Sequence, residues 1–247
     1  MPSCSSKKSL GVGPRDAPLL IPKMPEVKEP SEFRLLTITS ILLRLFNKII
    51  AARLMAASPL PAQQKGFAPE EGVVVILLLI QRLISDAKAH YKNLSVAFID
   101  FKKAFDSVSH PSLVATTRRW GFPPVLTELV TSLYEKASTN ILGDNINITR
   151  GVLQGDPLSP YLFNITLDWA LSSLPADVGA RLAGIPLNYI AYADDVVLTA
   201  STPRLMRWSS RPGGWGWNWA MRNVPQLTSL RRKEEEVASR PFHLLCR

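Results

Sequence analysis

The chain has only two cysteines among its 247 residues, Cys4 and Cys246, and they lie near opposite ends of the sequence. So few cysteines exclude a disulfide scaffold and a cysteine-based zinc site, and they favour an intracellular location in the cytoplasm or the nucleus. Long hydrophobic runs are also missing. The longest, residues 73–80, is far shorter than the ~20 residues that cross a bilayer, and no signal peptide is evident. We therefore expect no association with a membrane.

Charged residues are fairly sparse, at 20% of the chain, whereas hydrophobic residues make up 46%. This composition indicates a globular protein and excludes a disordered chain, a coiled coil or a collagen-like one. The length allows one large domain or two small ones. The net charge of +9 is typical of a protein with a polyanionic partner. However, residues 196–247 hold eight Arg, one Lys and three Glu, a net +6, so the charge alone is weak evidence for nucleic-acid binding.

Hydrophobic periodicity predicts helices and strands as far as Thr202. Helices are expected over residues 35–56, 73–90, 110–120, 124–136 and 157–174. Strands are expected over residues 19–23, 94–100, 187–192 and 196–200, with a hairpin formed by 138–142 and 146–150. The helix over 73–90 reads as largely buried. Beyond Thr202, Gly, Pro and Arg interrupt every period, and we predict neither a helix nor a strand there.

Three carboxylates stand at the ends of predicted strands. Asp100 ends an apolar strand, while Asp194 and Asp195 separate the two strands of a predicted hairpin. A buried charge is costly unless it is paired or bound to a metal, and carboxylate oxygens from two strand ends suit Mg²⁺. Two such ions can bind the attacking and leaving oxygens of a phosphoryl transfer. Taken singly, a turn cap at Asp100 and a polar hairpin tip at the Asp pair are the simpler explanations.

The order and spacing of three segments favour the catalytic interpretation. VAFIDFKKAFDSVSH (96–110), GVLQGDPLSPYLFNITLD (151–168) and YIAYADDVVLTA (189–200) resemble the central palm motifs of reverse transcriptases, especially those of non-LTR retrotransposons. Upstream, LLIPKMPEVKEPSEFRLLTITSILLRLFNKIIAARL resembles the fingers motifs of that family, and QKGFAPEEG resembles the segment that leads into the palm. The resemblance covers residues 19–201.

The resemblance implies an α+β fold, namely a right-hand polymerase palm with an antiparallel sheet flanked by helices and a partial fingers region. We expect an irregular segment over 1–18, the partial fingers over 19–92, the palm over 93–201 and an atypical tail over 202–247 outside the fold. The primer grip and thumb of the family have no match in the tail, so we expect a chain truncated after the Asp pair. Either the reading frame shifts near Thr202, or the tail is divergent and its Trp and Arg side chains stack on single-stranded nucleic acid.

The function implied is RNA-directed DNA polymerase, in which a primer 3′-hydroxyl attacks the α-phosphate of a dNTP. RNA template, DNA primer and dNTP would then be the partners. Asp100, Asp194 and Asp195 match the catalytic carboxylates of the family, with Asp195 the less directly engaged. Together with the backbone carbonyl of Phe101, they would hold two Mg²⁺ ions, or Mn²⁺ in their place.

Four further positions match residues that bind the nucleotide in the family, and Lys23 is an additional candidate. Phe105 matches the aromatic ring that excludes a 2′-hydroxyl, although a core phenylalanine would look the same in the sequence. Gln154 and Gly155 match the segment that lines the nucleotide and template side, where a plain loop before a helix is the alternative. Arg34 matches the arginine that grips the triphosphate, but Leu occupies the next position, where the family has Pro. Lys23 is either a phosphate contact or a surface lysine.

Three interpretations of the function stay open. The chain is either an active polymerase domain or an inactive, truncated reverse-transcriptase fragment that at most binds nucleic acid. A basic RNA-binding module unrelated to polymerases is a third interpretation, and the ordered motifs argue against it.

Overall fold

The structure, a computed structural model, describes residues 18–22, 25, 33–37, 39–67, 72–141, 144–174, 179–201 and 219–222. Within these ranges the helices are α1 (Ile41–Ala57), α2 (Gly72–Ala89), α3 (Ala104–Ser107), α4 (His110–Arg119), α5 (Pro124–Glu135) and α6 (Ser159–Leu171). The strands are β1 (Pro18–Pro22), β2 (Phe33–Thr37), β3 (Ser95–Phe101), β4 (Ser138–Ile141), β5 (Asp144–Asn147), β6 (Ala180–Leu182), β7 (Ile185–Leu187), β8 (Tyr189–Tyr192), β9 (Asp195–Ala200) and β10 (Trp219–Arg222).

The central feature is a four-stranded antiparallel sheet in the order β10-β3-β9-β8. Its strands β3 and β9 are rich in the β-branched and apolar residues that fit a pleated surface. The register pairs Ile99 of β3 with Val196 of β9, and Tyr192 of β8 with Asp195 of β9. The predicted α+β class with an antiparallel palm sheet is therefore confirmed.

Helix α2 packs against one face of this sheet. Leu83 and Ala87 of the helix share a buried cluster with Val96, Ile190 and Val197 of the strands. Residues 96 and 98 of β3 lie opposite 199 and 197 of β9, so they point to the same face. The helix covers this face at the end where β3 begins.

The chain forms two compact units. The first unit contains the described residues before Ala62 together with Lys102–Ala170. The second unit contains Ala62–Phe101 and the described residues after Ala170, which include strand β10. This division does not follow the expected boundary between fingers and palm at residue 92, so that functional division stays a prediction. In the first unit, α4 packs on α5, and Tyr161, Leu162 and Phe163 of α6 are fully buried.

Local signals located helices α4 and α5 well. Ser109 caps the start of α4 by accepting a hydrogen bond from the backbone N–H of Ser112, and a proline lies in the first turn. The helix ends before Gly121, whose φ of +78° is typical of a helix C-terminus. Helix α5 begins at Pro124, as predicted.

Two features of the first predicted helices are corrected. Residues 33–37 form strand β2 and pair with β1, so α1 begins only at Ile41, after the cap Ser40. The strand was missed because it forms by pairing with β1, and the hydrophobic periodicity of residues 33–37 alone does not show that pairing. Helix α2 is also not largely buried, since Val73 and Leu78 are 53% and 58% exposed. In the part of the chain that the structure describes, no helix is long and apolar enough to cross a membrane.

The strands after residue 137 differ from prediction in their bounds and number. The hairpin β4–β5 is present, but its second strand begins at Asp144 rather than 146. The short hairpin β6–β7 was not predicted. Strand β10 lies within the tail that was expected to be outside the fold, yet it pairs with β3, so these four residues belong to the sheet. The remainder of 202–247, like 1–17, lies outside the described residues.

Candidate active site

The three predicted carboxylates lie at one end of the sheet in the second unit. Strand β3 approaches its end at Asp100, and the antiparallel strand β9 begins at Asp195, directly after Asp194 in the turn from β8. Ile99 pairs with Val196, and the next position of the same antiparallel register puts Asp100 opposite Asp195. Directly opposite residues of an antiparallel pair project to the same face with Cβ atoms ~5 Å apart. The fold therefore brings together the carboxylates that the sequence separates.

The Asp pair is presented by a tight turn. Tyr192 and Asp195 are the last paired residues, so the turn consists of Ala193 and Asp194 alone. Ala193 has a φ of 54°. A positive φ at the first central position is typical of a type II′ hairpin, where glycine is preferred and an alanine is strained. Asp100 and Asp195 are exposed, whereas Asp194 is half-buried.

The chemistry of these side chains fits a hard divalent cation. Like charges directly opposite each other destabilise an antiparallel pair, so Asp100 and Asp195 favour a bound cation between the strands. Carboxylate oxygens are the ligands that Mg²⁺ prefers. Among the residues that the structure describes, however, no three His, Cys, Asp or Glu side chains form a ready-made metal site. Phe101, the fourth predicted ligand through its backbone, is buried at the end of β3.

Phe105 lies in the first unit, in helix α3. Its ring is half-buried and stacks on Phe163, with centroids 4.3 Å apart and planes 9° from parallel. Its backbone carbonyl accepts a hydrogen bond from the N–H of Val152 at 2.9 Å. The ring is therefore both a packing partner of the core and partly accessible, as a sugar-contacting ring would be.

Gln154 and Gly155 are fixed by contacts from two other segments of the same unit. The Gln154 side-chain amide donates a short hydrogen bond to the Asp106 carboxylate, and the Gln154 carbonyl accepts one from the N–H of Thr37 at 2.8 Å. Gly155 has a φ of +99°, and a Cβ there would lie 3.2 Å from the Thr37 carbonyl oxygen. Any other residue would therefore be strained at this position. Arg34 belongs to β2, the strand that ends at Thr37, so two of the predicted motifs meet here.

Lys23 lies outside the described residues. The side chain of Arg34 is also outside them, although its backbone pairs with Ile21.

A buried carboxylate that the sequence analysis did not single out lies beside Gln154. Asp156 is 5% exposed; its Oδ2 accepts from the Asn47 side-chain amide at 2.6 Å, and its Oδ1 accepts from the N–H of Leu158 at 2.8 Å. Burial raises the pKa of Asp156, against the hydrogen bonds that lower it. Asp156 lies three residues before the first residue of α6, and a carboxylate that accepts from the N–H two residues further on is typical of a turn that leads into a helix. Nothing local identifies Asn47, which is 109 residues distant.

His110 fixes the start of the 151–168 segment. Its Nε2 donates to the carbonyl of Gly151 at 3.0 Å, and its ring lies 5.1 Å from that of Tyr134 in an edge-on arrangement. Burial lowers the pKa of His110, and the hydrogen bond to Gly151 opposes this. Burial also raises the pKa of Tyr134, so both side chains are neutral structural groups at physiological pH.

Comparison with known proteins gives a family match that covers most of the chain. The family described as Reverse transcriptase (RNA-dependent DNA polymerase) matches residues 21–207. The Retrovirus-related Pol polyprotein from type-2 retrotransposable element R2DM of Drosophila melanogaster is 36% identical over 189 residues, 74% of this chain and 18% of that protein. The corresponding type-1 element R2 protein of Popillia japonica is 40% identical over 187 residues, 72% of this chain and 26% of that protein. The chain thus spans about a fifth to a quarter of these relatives.

The fold is also similar to that of solved telomerase structures. Apo telomerase from Candida tropicalis matches with a TM-score of 0.58 at 14% identity, covering 91% of this chain and 47% of that one. Telomerase from the same organism in complex with a fragment of telomeric RNA matches with a TM-score of 0.55 at 12% identity, covering 87% and 41%. At such low identity these likenesses establish the fold alone.

Proposed function

The chain belongs to the reverse transcriptase (RNA-dependent DNA polymerase) family, of the non-LTR retrotransposon type, and we propose that it is the DNA-polymerising part of a retrotransposon protein. The observation that carries the proposal is the meeting of Asp100, Asp194 and Asp195 at one end of the palm sheet. In the proposed reaction, directed by an RNA template, a primer 3′-hydroxyl attacks the α-phosphate of a dNTP. A phosphodiester bond forms, the bond between the α- and β-phosphates breaks, and pyrophosphate leaves.

The carboxylates have a defined role in this reaction. Asp100 and Asp194 would hold two divalent cations, Mg²⁺ in the first instance, and Asp195 and the Phe101 carbonyl would complete the ligand set. The bound ions would supply charge stabilisation at the attacking and leaving oxygens of an in-line displacement. The protein itself orients the oxygen ligands, and it does so through strand pairing, which fixes Asp100 and Asp195 on neighbouring rigid strands rather than on a flexible loop.

Nucleotide-binding roles are proposed for residues of the first unit. Phe105 excludes a ribose 2′-hydroxyl, Gln154 and Gly155 line the nucleotide and template side, and Arg34 grips the triphosphate. A planar guanidinium suits this last role because it donates two parallel hydrogen bonds to phosphate oxygens. Lys23 is proposed only as an additional phosphate contact.

The proposed partners are an RNA template, a DNA primer and dNTPs. The family assignment supports the template, and the telomerase neighbour captured with an RNA fragment is consistent with it. We propose an intracellular location, in the cytoplasm or the nucleus. Residues 19–92 are proposed as fingers and 93–201 as palm.

Primer extension on a homopolymer RNA template tests the proposal. The purified chain should extend a DNA primer with dNTPs and Mg²⁺, and Asp100→Asn should abolish extension because a neutral amide is a much poorer ligand for Mg²⁺. Asp86→Asn is the matched control, since it removes a carboxylate from the same unit. Asp86 lies on α2 beside Lys92 and lines a cavity with Leu94 and Ser201, at the other end of the sheet. Its loss should leave extension unchanged.

The same assay separates the active domain from the inactive fragment. A folded chain that retains RNA binding in a filter or anisotropy assay but extends no primer would support the fragment interpretation. Extension that survives both Asp100→Asn and Asp194→Asn would refute the assignment of the site.

A further inference from the structure

The strained turn that carries Asp194 is held by a side chain from a distant segment. Gln64 is 4% exposed, and its Oε1 accepts hydrogen bonds from the N–H of Ala193 at 2.9 Å and from the N–H of Gly66 at 2.8 Å. Its Nε2 donates to the carbonyl of Ala193 at 3.2 Å. One side-chain amide therefore binds both backbone polar groups of Ala193, which comes directly before the Asp pair.

The backbone around Gln64 is fixed as well. The carbonyl of Gln63 accepts from the N–H of Ala191 at 2.8 Å, and the N–H of Lys65 donates to the carbonyl of Ala191 at 2.8 Å. These bonds make the segment a short parallel neighbour of β8. Gly66 completes the contact, because a Cβ there would lie 2.1 Å from the backbone nitrogen of Ala193.

We propose that Gln64 is a positioning residue, which holds Ala193 in its left-handed conformation and so orients Asp194 and Asp195 toward the cation site. An alanine with a φ of 54° does not adopt this conformation readily by itself, so the turn depends on contacts from outside the hairpin. The four-residue sequence QKGF supplies them: the glutamine provides the hydrogen bonds, and the glycine permits the close approach. The proposal rests on the proposed function, since it assigns Gln64 a role at the same site.

Gln64→Met is the direct test, because methionine has a similar size but cannot make any of the three hydrogen bonds. Loss of a residue that orients metal ligands typically costs ~10–100-fold in metal affinity or activity. We expect kcat of primer extension to fall by at least ~10-fold. The Mg²⁺ concentration for half-maximal extension should rise, while KM for the primer and template should stay the same. Gln63→Ala is the matched control, because the bond of Gln63 to Ala191 is made by the backbone.

A second variant distinguishes positioning from a general role in folding. Glycine adopts a positive φ without strain, so Ala193→Gly should make the turn less dependent on the hydrogen bonds from the Gln64 side chain. The fold-decrease in kcat caused by Gln64→Met should be at least about threefold smaller in the Ala193→Gly background than in the wild type, because the effects of contacting residues are coupled. Equal losses in the two backgrounds would overturn the proposal.

Two readouts do not depend on polymerase activity. Exchange of the Ala193 amide hydrogen should be faster in Gln64→Met, because that hydrogen is bonded to Gln64. The rise in Tm on adding Mg²⁺ to the nucleic-acid-free protein should be smaller in Gln64→Met than in Gln63→Ala. If the wild type extends no primer, the proposed function fails, but these two measurements still decide the role of Gln64. If the wild type is active and Gln64→Met matches it in every readout, the positioning role is wrong and the polymerase assignment survives.

Discussion

Replacing Asn47 with alanine should destabilise the protein more at neutral than at acidic pH. Asn47 is 1% exposed and donates from Nδ2 to Oδ2 of Asp156, which is itself 5% exposed. Burial raises the pKa of Asp156, while the hydrogen bonds from Asn47 and from two backbone N–H groups act in the opposite direction. Asn47→Ala removes one of these bonds, so the pKa of Asp156 should rise further.

The sign and size of the effect follow from the protonation state of Asp156. A hydrogen bond to an ionised group is worth ~1.5–3 kcal/mol, whereas one between neutral groups is worth ~0.5–1.5 kcal/mol. A carboxyl group whose pKa is higher in the folded than in the unfolded protein lowers the free energy of unfolding as the pH rises between the two pKa values. Asn47→Ala increases the difference between the folded and unfolded pKa values of Asp156. The destabilisation caused by Asn47→Ala should therefore grow from ~0.5–1.5 kcal/mol at about pH 4 to ~1.5–3 kcal/mol at about pH 7.

Urea unfolding followed by tryptophan fluorescence measures this effect at the two pH values. The set comprises the wild type, Asn47→Ala, Asp156→Asn and the double variant, so that the coupling between the residues is obtained from a cycle. In the Asp156→Asn background the effect of Asn47→Ala should no longer depend on pH, because the ionisable group is gone. A loss that is equal at both pH values in the wild-type background, or one that stays pH-dependent without Asp156, would refute the reasoning.

Three further outcomes are expected. Phe105→Val should raise the ratio of rNTP to dNTP extension at least ~10-fold, a change of ~1.4 kcal/mol in relative barrier, and an unchanged ratio would reduce Phe105 to a packing residue. Gly155→Ala should lower the free energy of unfolding by ~1–3 kcal/mol. Gly121→Ala, which shares a positive φ but has open space around it, should cost less, because at Gly155 the added Cβ also meets the Thr37 carbonyl. His110→Gln should flatten the loss of stability on acidification: the pKa of His110 is lowered by burial, so its contribution is complete above the unfolded pKa of ~6.5 and is lost as the pH falls through the folded pKa. Urea midpoints at about pH 7.5 and about pH 5.5 measure the last effect. If the midpoint changes equally between the two pH values in the variant and in the wild type, the prediction is contradicted.

The sequence alone determined those parts of the protein that depend on neighbouring residues. The start of α4 follows from Ser109 and the proline after it, and its end from Gly121, because capping and backbone freedom are local properties. The strands that carry Asp100 and the Asp pair were also predicted, since short apolar runs broken by acidic residues are visible in any window. Spacing of the motifs then identified the family.

Only the tertiary structure decided how these parts meet. Strand β2 forms because β1 pairs with it, and β10 extends the sheet although its own sequence has no clear period. Gln64 and Asn47 stand 129 and 109 residues from their partners, Ala193 and Asp156. A glutamine or an asparagine has the same local signature whether it is solvated or buried, because its role depends on which distant backbone or carboxylate the fold brings within hydrogen-bonding distance. The proposed ligand residues could therefore be identified in the sequence. The contacts of Gln64 with Ala193 and of Asn47 with Asp156 could not, because they arise from long-range pairing.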